Sequence, residues 1–539
     1  MSTSSVSATS WEAPGPGMWE RDAAHQERPF CTLWLEAAPS ALVPGLDEAC
    51  ERFGLPFKGF EFADVGGWFF LAPTPLAEED FPARMATAEE ALDIRPWRTI
   101  ADEWTDSVRA ELLQRNRKRQ AVEPAALDDS GLAAHLASAL ELFQDGAARH
   151  FLQAAAHWVG VGLLANEAAG LPGWPRERVI RALAGGSPNS LRPLAGLDRI
   201  AAAIASDPRA SAILAGDDEP EAALAGLRAC SPVIAEALDA YLADHGWEVF
   251  TGFDFTHEAL FELPALFLST IRSVPGGAVR YGDELANLRA AVAPGDRARF
   301  GVLIDDALVL YGLRDDDSGI TIQRPLGLVR RAVLEAGRRL AARGAVHASD
   351  DAFDANAAEL AALLTGAAGA PGADELSRRA ARRRPPFAIP PRRLGEEEAP
   401  PEGELPPAMG AIAGALFTAM GLEDTADSDA LAAGPLLGVA ASAGVYDGRA
   451  RVIQGPDDFE RLEQGDVLVA AFTTPAYNVV LPLLGAVVTD RGGVLSHPAI
   501  VAREFGIPAV VGTGRATTVI RDGARIRVDG TEGKVTLLS

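Results

Sequence analysis

The stretch that most constrains the fold of this chain runs from Leu484 to Gly514. Leu484 to Val488 is apolar and partly β-branched, the composition of a buried strand. Gly492-Gly493 breaks it and lets the backbone turn tightly. Ser496 is placed to cap a helix, and Pro498 fits the first turn, where its missing N–H costs nothing. Ile500, Val501 and Phe505 give that helix an apolar face. Gly506 suits its C-terminal end, and Pro508 prevents it from continuing. Ala509-Val510-Val511 then resumes a strand. The expected unit is therefore strand, glycine turn, short helix, strand.

This order sets His497 at the N-terminus of a helix beside a glycine turn. Backbone N–H groups and the positive end of the helix dipole meet there. Such a position favours anions and keeps an imidazole neutral and nucleophilic. A histidine so placed can attack a phosphoryl group while the loop holds the charge that results. A histidine that only terminates a helix is the plainer alternative.

The whole string T-D-x-G-G-x-x-S-H-x-A-I-V-A-R-E-x-G-I-P-A-V-V-G, met here from Thr489 to Gly512 without a gap, closely resembles the phosphohistidine swivelling (mobile) domain of the phosphoenolpyruvate-utilising enzymes, as in phosphoenolpyruvate synthase and rifampin phosphotransferase. The resemblance implies that His497 is phosphorylated and passes the phosphoryl group on. Gly492, Gly493 and Ser496 would shape the phosphate-facing loop. Arg491 and Arg503 are candidates to screen phosphoryl charge, with a surface salt bridge as the competing reading for both. Thr474, in Thr473-Thr474-Pro475-Ala476-Tyr477, matches the loop that precedes the histidine motif and is a further candidate for contact with it.

Composition bounds what surrounds this unit. At 539 residues, 48% hydrophobic and 23% charged, the chain should hold two or more globular domains. A net charge of −26 with no long basic run argues against nucleic acid and anionic membranes as partners. No apolar run approaches the roughly 20 residues of a membrane helix. Cys31, Cys50 and Cys230 have neither pairing nor metal spacing, which suits a reducing cytoplasm, and Met1 to Ser10 has no signal-peptide character. Lysine occurs only at positions 58, 118 and 534, none of them in a Walker P-loop.

Residues 1–18 read as a disordered tail, 19–377 as a mainly helical substrate-binding domain, 378–434 as a linker and 435–539 as the C-terminal domain. The fold class expected is thus multidomain, a mainly α-helical middle domain followed by a β/β/α phosphohistidine swivelling domain. Six of the nine tryptophans lie before residue 105, and aromatic side chains there can line a ligand pocket or a core. Trp19-Glu20-Arg21-Asp22, His25 and Pro29-Phe30 resemble the opening of the middle domain in rifampin phosphotransferase-like proteins. Leu132 to Ala165 reads as one long helix that carries His150 and His157 on one face. No carboxylate stands at their companion spacing, so no metal site is expected. Phe250 to Pro264 resembles another element of that family, with Phe253 where an arginine is common. Asp254, His257, Glu258 and Glu262 form its polar cluster, read either as acid–base groups or as a solvated loop. Paired prolines and charge blocks between Arg378 and Pro407 give a stiff, solvated spacer.

The resembled enzymes charge their histidine from an ATP-grasp domain or from phosphoenolpyruvate bound in a barrel. Neither is expected in this chain, so no cofactor is expected on it, and Mg-ATP is expected to act through a separate ATP-grasp nucleotide-binding protein. The expected activity is that of a phosphotransferase component, carrying a phosphoryl group on His497 to a small-molecule acceptor bound by the helical domain. The alternative is a non-catalytic small-molecule or partner-binding protein that retains the fold.

Overall fold

The computed structural model describes residues 11–22, 25–26, 28–184, 192–249, 251–273, 283–396, 405–420, 436–473, 477, 480–494 and 496–538. Its larger part is a helical body built on one 40-residue helix, Asp129–Ala168, which matches and slightly extends the expected helix. Asp128 caps it by accepting from the Gly131 N–H at 2.7 Å. Helices Thr32–Phe53, Arg297–Ser318, Arg324–Ala342 and Pro407–Met420 pack around it. Small residues set these approaches. A Cβ at Gly146 would stand 2.3 Å from the Thr321 carbonyl, and one at Gly162 would stand 2.1 Å from that of Ala415.

A four-stranded antiparallel sheet covers one end of this body. Its strands are β1 (Trp19–Arg21), β2 (Phe57–Val65), β3 (Trp68–Pro75) and β4 (Arg393–Leu394), in the order β2-β3-β1-β4. Trp19, Trp68 and Phe70 are buried beneath it. Trp11 and Ala13 pack on the same cluster, so residues 11–18 are not the loose tail that composition suggests; residues 1–10 lie outside the described residues.

The segment expected to be a linker also differs. β4 pairs with β1, Arg383 reaches Asp354 at 2.9 Å and Arg384 reaches Asp351 at 3.1 Å, both carboxylates being buried. Helix Pro407–Met420 buries Met409, Ile412 and Ala413 against the body. The arginine and proline blocks look solvated by composition, but acidic partners distant in sequence fold them down. The helix that follows is too apolar to stay in water. Residues 397–404 and 421–435 lie outside the described residues.

The C-terminal domain is an eight-stranded sheet: β5 (Leu436–Leu437), β6 (Val439–Ser442), β7 (Val445–Ile453), β8 (Asp466–Ala470), β9 (Leu484–Thr489), β10 (Ala509–Val511), β11 (Arg525–Asp529) and β12 (Lys534–Leu537), ordered β5-β12-β11-β7-β8-β9-β10-β6. β7, β8, β9 and β10 are mutually parallel and the outer pairings antiparallel. A parallel sheet needs both faces covered. Val467, Val469, Ala486 and Val488 pack with Ile520, Ile526 and Val528 on one side. Leu468, Ala470 and Val487 share a second core with Leu227, Leu238, Phe267 and Ile271 of the helical body. The expected architecture, helical body followed by β-rich domain, is the one observed. Among the described residues no helix is long and apolar enough to cross a membrane.

Candidate functional site

The site is built on the C-terminal end of β9. Leaving the strand, the Asp490 N–H donates to Ala470 O at 3.1 Å and the Arg491 N–H to Ala471 O at 2.9 Å, which holds the start of the turn against the end of β8. Asp490 accepts from the Thr517 N–H at 3.0 Å and from the Thr517 hydroxyl, so the turn is also tied to the short helix Ala516–Val519. Thr513 donates through its N–H and hydroxyl to Thr489 O, each at 3.0 Å. Gly492 has φ 123°, a conformation that side chains disfavour, and a Cβ there would stand 2.6 Å from Ser496 Oγ.

The helix that follows is His497–Glu504. His497 is its first residue, as the motif leads one to expect; its side chain lies outside the described part of the structure, as does Thr474. Ser496 occupies the N-cap position with extended backbone, but its hydroxyl donates to Gly493 O at 2.7 Å and does not cap the helix. It tightens the glycine turn instead, so Gly492, Gly493 and Ser496 do form one compact loop. Gly506, at φ 66°, follows the last helical turn, as expected of a C-terminal glycine.

Arg503 requires a correction. It is 5% exposed, with Nη1 donating to Ala441 O at 3.1 Å and Nη2 to Val494 O at 2.5 Å. A guanidinium so placed ties the histidine loop to β6 through two backbone carbonyls; it is buried, and among the described residues it forms no salt bridge. The helix turns this face inward because Ile500, one turn earlier, is buried among Val161, Leu164 and Val179 of the helical body. Arg491, by contrast, is exposed.

The charge of Arg491 acts on Arg21, at the end of β1. Burial is the largest influence lowering the Arg21 pKa, and the Arg491 charge comes next, ahead of Arg392. Arg21 is 8% exposed and lies over the Trp68 ring, 4.8 Å from its centroid. The turn after β1 carries His25, whose Nδ1 lies 2.9 and 3.0 Å from the two oxygens of Asp22. His25 also meets the Phe253 ring edge-on at 4.8 Å between centroids. Neither Arg21 nor the Asp22–His25 pair is assigned a role by sequence reasoning. The i, i+3 spacing of Asp22 and His25 directly after a strand is the signal that could have found them.

The loop bearing Phe253 is ordered by buried charge. Asp254 accepts from the Cys31 N–H at 2.7 Å and from the Thr256 hydroxyl at 2.6 Å. Arg330 grips Glu262 with two bonds, of 2.7 and 2.9 Å, and donates to Thr256 O at 2.9 Å. His257 Nδ1 accepts from the Asp254 N–H at 3.2 Å, and burial followed by the Arg28 charge holds its pKa well below the usual histidine value. The polar cluster is thus a packed support, and His257 is neutral near pH 7. His150 and His157 serve the core of the body: His150 Nδ1 is 3.2 Å from Asp317, and His157 Nδ1 is 3.0 Å from Leu310 O.

Comparison with known proteins covers both halves. Residues 462–533 match the model of the PEP-utilising enzyme mobile domain, and residues 132–299 match that of the rifampicin phosphotransferase fourth domain. Among curated relatives, an uncharacterized phosphotransferase, YvkC, of Bacillus subtilis (strain 168) is 47% identical over 104 residues, 19% of this chain and 12% of its own. A rifampicin phosphotransferase of Streptomyces sp is 50% identical over 106 residues, 20% of this chain and 12% of its own. A probable phosphoenolpyruvate synthase of Archaeoglobus fulgidus is 45% identical over 100 residues, 19% of this chain and 13% of its own. The matched part therefore spans about an eighth of these relatives. A solution structure of Enzyme I aligns with 51% of this chain and 74% of that one at 16% identity, and its TM-score of 0.14 carries no argument.

Proposed function

We propose that this chain, which carries a PEP-utilising-enzyme mobile domain and a rifampicin phosphotransferase fourth domain, is a phosphotransferase that bears a phosphoryl group on His497 and delivers it to a hydroxyl-bearing small molecule held by the helical body. The observation that carries this reading is the construction of the turn before His497. Gly492 at φ 123°, Ser496 folded back on Gly493 and Asp490 anchored to Thr517 hold the start of the helix in one place. A phosphohistidine needs that arrangement, because backbone N–H groups and the helix dipole then face the phosphoryl oxygens. The family match over residues 462–533 supports it.

In this reading a separate ATP-grasp protein charges His497 from Mg-ATP, and the chain itself binds neither. The test is labelling of the full chain by Mg-ATP with a candidate ATP-grasp protein and, independently, by phosphoramidate, a small donor that phosphorylates histidine. An acid-labile phosphoprotein that disappears in His497→Ala is the expected result. A chain that stays unlabelled with both donors refutes the proposal.

A further inference from the structure

Three helices of the body, Thr32–Phe53, Arg109–Gln120 and Asp129–Ala168, leave a cavity of about 280 Å³ between them. Its floor is apolar: Leu112 and Leu152 line it and are 4% and 1% exposed. Pro44, which has no N–H to offer, and Val108 extend the apolar wall. Val108 closes a single π turn, Trp104–Val108, in which the Arg109 N–H donates to Trp104 O. Such turns inside longer helices recur at functional sites. At one end of the cavity two of the helices touch. A Cβ at Gly45 would stand 1.9 Å from the Ala148 carbonyl, and both residues line the site.

The rim is charged. Asp145 pairs with Arg115, Glu111 lies 3.9 Å from the same guanidinium, and Glu48 accepts from Arg52 at 3.0 Å. These three carboxylates are 49 to 67% exposed and keep much of their water. Arg149, the residue after Ala148, differs. It is half-buried on the cavity wall and forms no hydrogen bond or ion pair among the described residues. A guanidinium that has given up water without gaining a partner is held there at a cost, and an anion in the cavity offsets it.

We propose that this cavity binds a small carboxylate with an apolar body about one ring in size: the ring lies on Leu112 and Leu152, and the carboxylate pairs with Arg149. The planar fork of a guanidinium matches a carboxylate with two parallel hydrogen bonds. The volume lies at the small end of ligand pockets, which sets the size of the body. The rim carboxylates repel a second negative charge, so a monoanion is favoured over a phosphate dianion. The inference does not draw on His497, and its test does not read phosphoryl transfer.

The probe is para-fluorobenzoate, titrated into the full chain and followed by its fluorine NMR signal. It is compared with para-fluorobenzyl alcohol, which has the same ring and no charge, and with para-fluorophenyl phosphate. The benzoate should bind with a dissociation constant of about 1 mM or less. The alcohol should bind on the order of 10-fold more weakly. Arg149→Gln should lose that factor of about 10 for the benzoate and leave the alcohol unchanged. Val108→Trp, which fills the cavity and keeps the guanidinium, should bind neither; Arg149→Gln carries the test alone if that variant does not fold. Without ligand, Arg149→Gln should melt no lower than the wild type, because no partner is abandoned. The benzoate should raise the melting point of the wild type and leave that of Arg149→Gln in place. No binding of the benzoate up to about 10 mM, or equal binding by the wild type and Arg149→Gln, overturns the proposal. A melting point for Arg149→Gln well below the wild type assigns the guanidinium to the fold and overturns it as well. Binding of the phosphate as tightly as the benzoate overturns the carboxylate assignment.

Discussion

At the scale of single residues, the histidine turn is held by two positions whose roles differ in kind. Gly492 is a matter of backbone: at φ 123°, with Ser496 Oγ 2.6 Å from the place of a Cβ, alanine is strained by about 1–3 kcal/mol. The Gly492→Ala chain should keep its circular dichroism spectrum and lose most phosphoramidate labelling, since the strain falls on the loop alone. Arg503 is a matter of buried hydrogen bonds. Arg503→Met abandons two buried carbonyls, at a cost of about 3 kcal/mol. Amide exchange in β6 should quicken by about 100-fold in that variant. The two residues also mark what sequence can tell. The glycine turn is legible because its conformation is local and only glycine adopts it freely. The burial of Arg503 is not, because the Ala441 carbonyl that receives it lies 62 positions away on another strand. The setting of His25 is illegible for the same reason: the Phe253 ring it meets lies more than 200 positions away.

At the scale of elements, the long helix and the β9–turn–helix unit follow from periodicity and punctuation, and both form nearly where expected. The segment from 378 to 420 does not, because proline and charge blocks report local solvation and are silent about distant partners such as Asp351 and Asp354. The polar cluster of Asp254 and Glu262 is a second case, read as solvated or catalytic and found hydrogen-bonded to the helical body. Its packing has a consequence in pH. The folded-state pKa of His257 lies below its unfolded value near 6.5, through burial and then Arg28. As pH falls below about 6.5 the unfolded chain takes up a proton that the folded chain refuses, so stability is full above that value and declines below it. The urea midpoint of the helical body should therefore fall between pH 7 and pH 5, and His257→Gln should reduce that fall.

At the scale of the whole molecule, the two domains share an interface, which the proposed carrier role requires to open. Arg181 donates to Ala440 O at 2.7 Å, Tyr311 donates to Glu504 at 3.4 Å, and Val494 and Ile500 lie in the core of the helical body. In the proposed reading, transfer to an acceptor on the helical body needs the docked arrangement, and charging by a separate donor needs the histidine loop released from it. Charging and transfer then make opposite demands on one equilibrium. Removing two interface hydrogen bonds with Arg181→Ala and Tyr311→Phe together should cost the docked state about 2 kcal/mol, a shift of roughly 30-fold in its population. The double variant should show a larger radius of gyration by small-angle scattering, faster labelling by phosphoramidate and slower discharge. A variant that expands but is slowed in both steps would place charging, too, in the docked state. An unchanged radius would mean that the apolar contacts of Val494 and Ile500 hold the domains together without these two bonds.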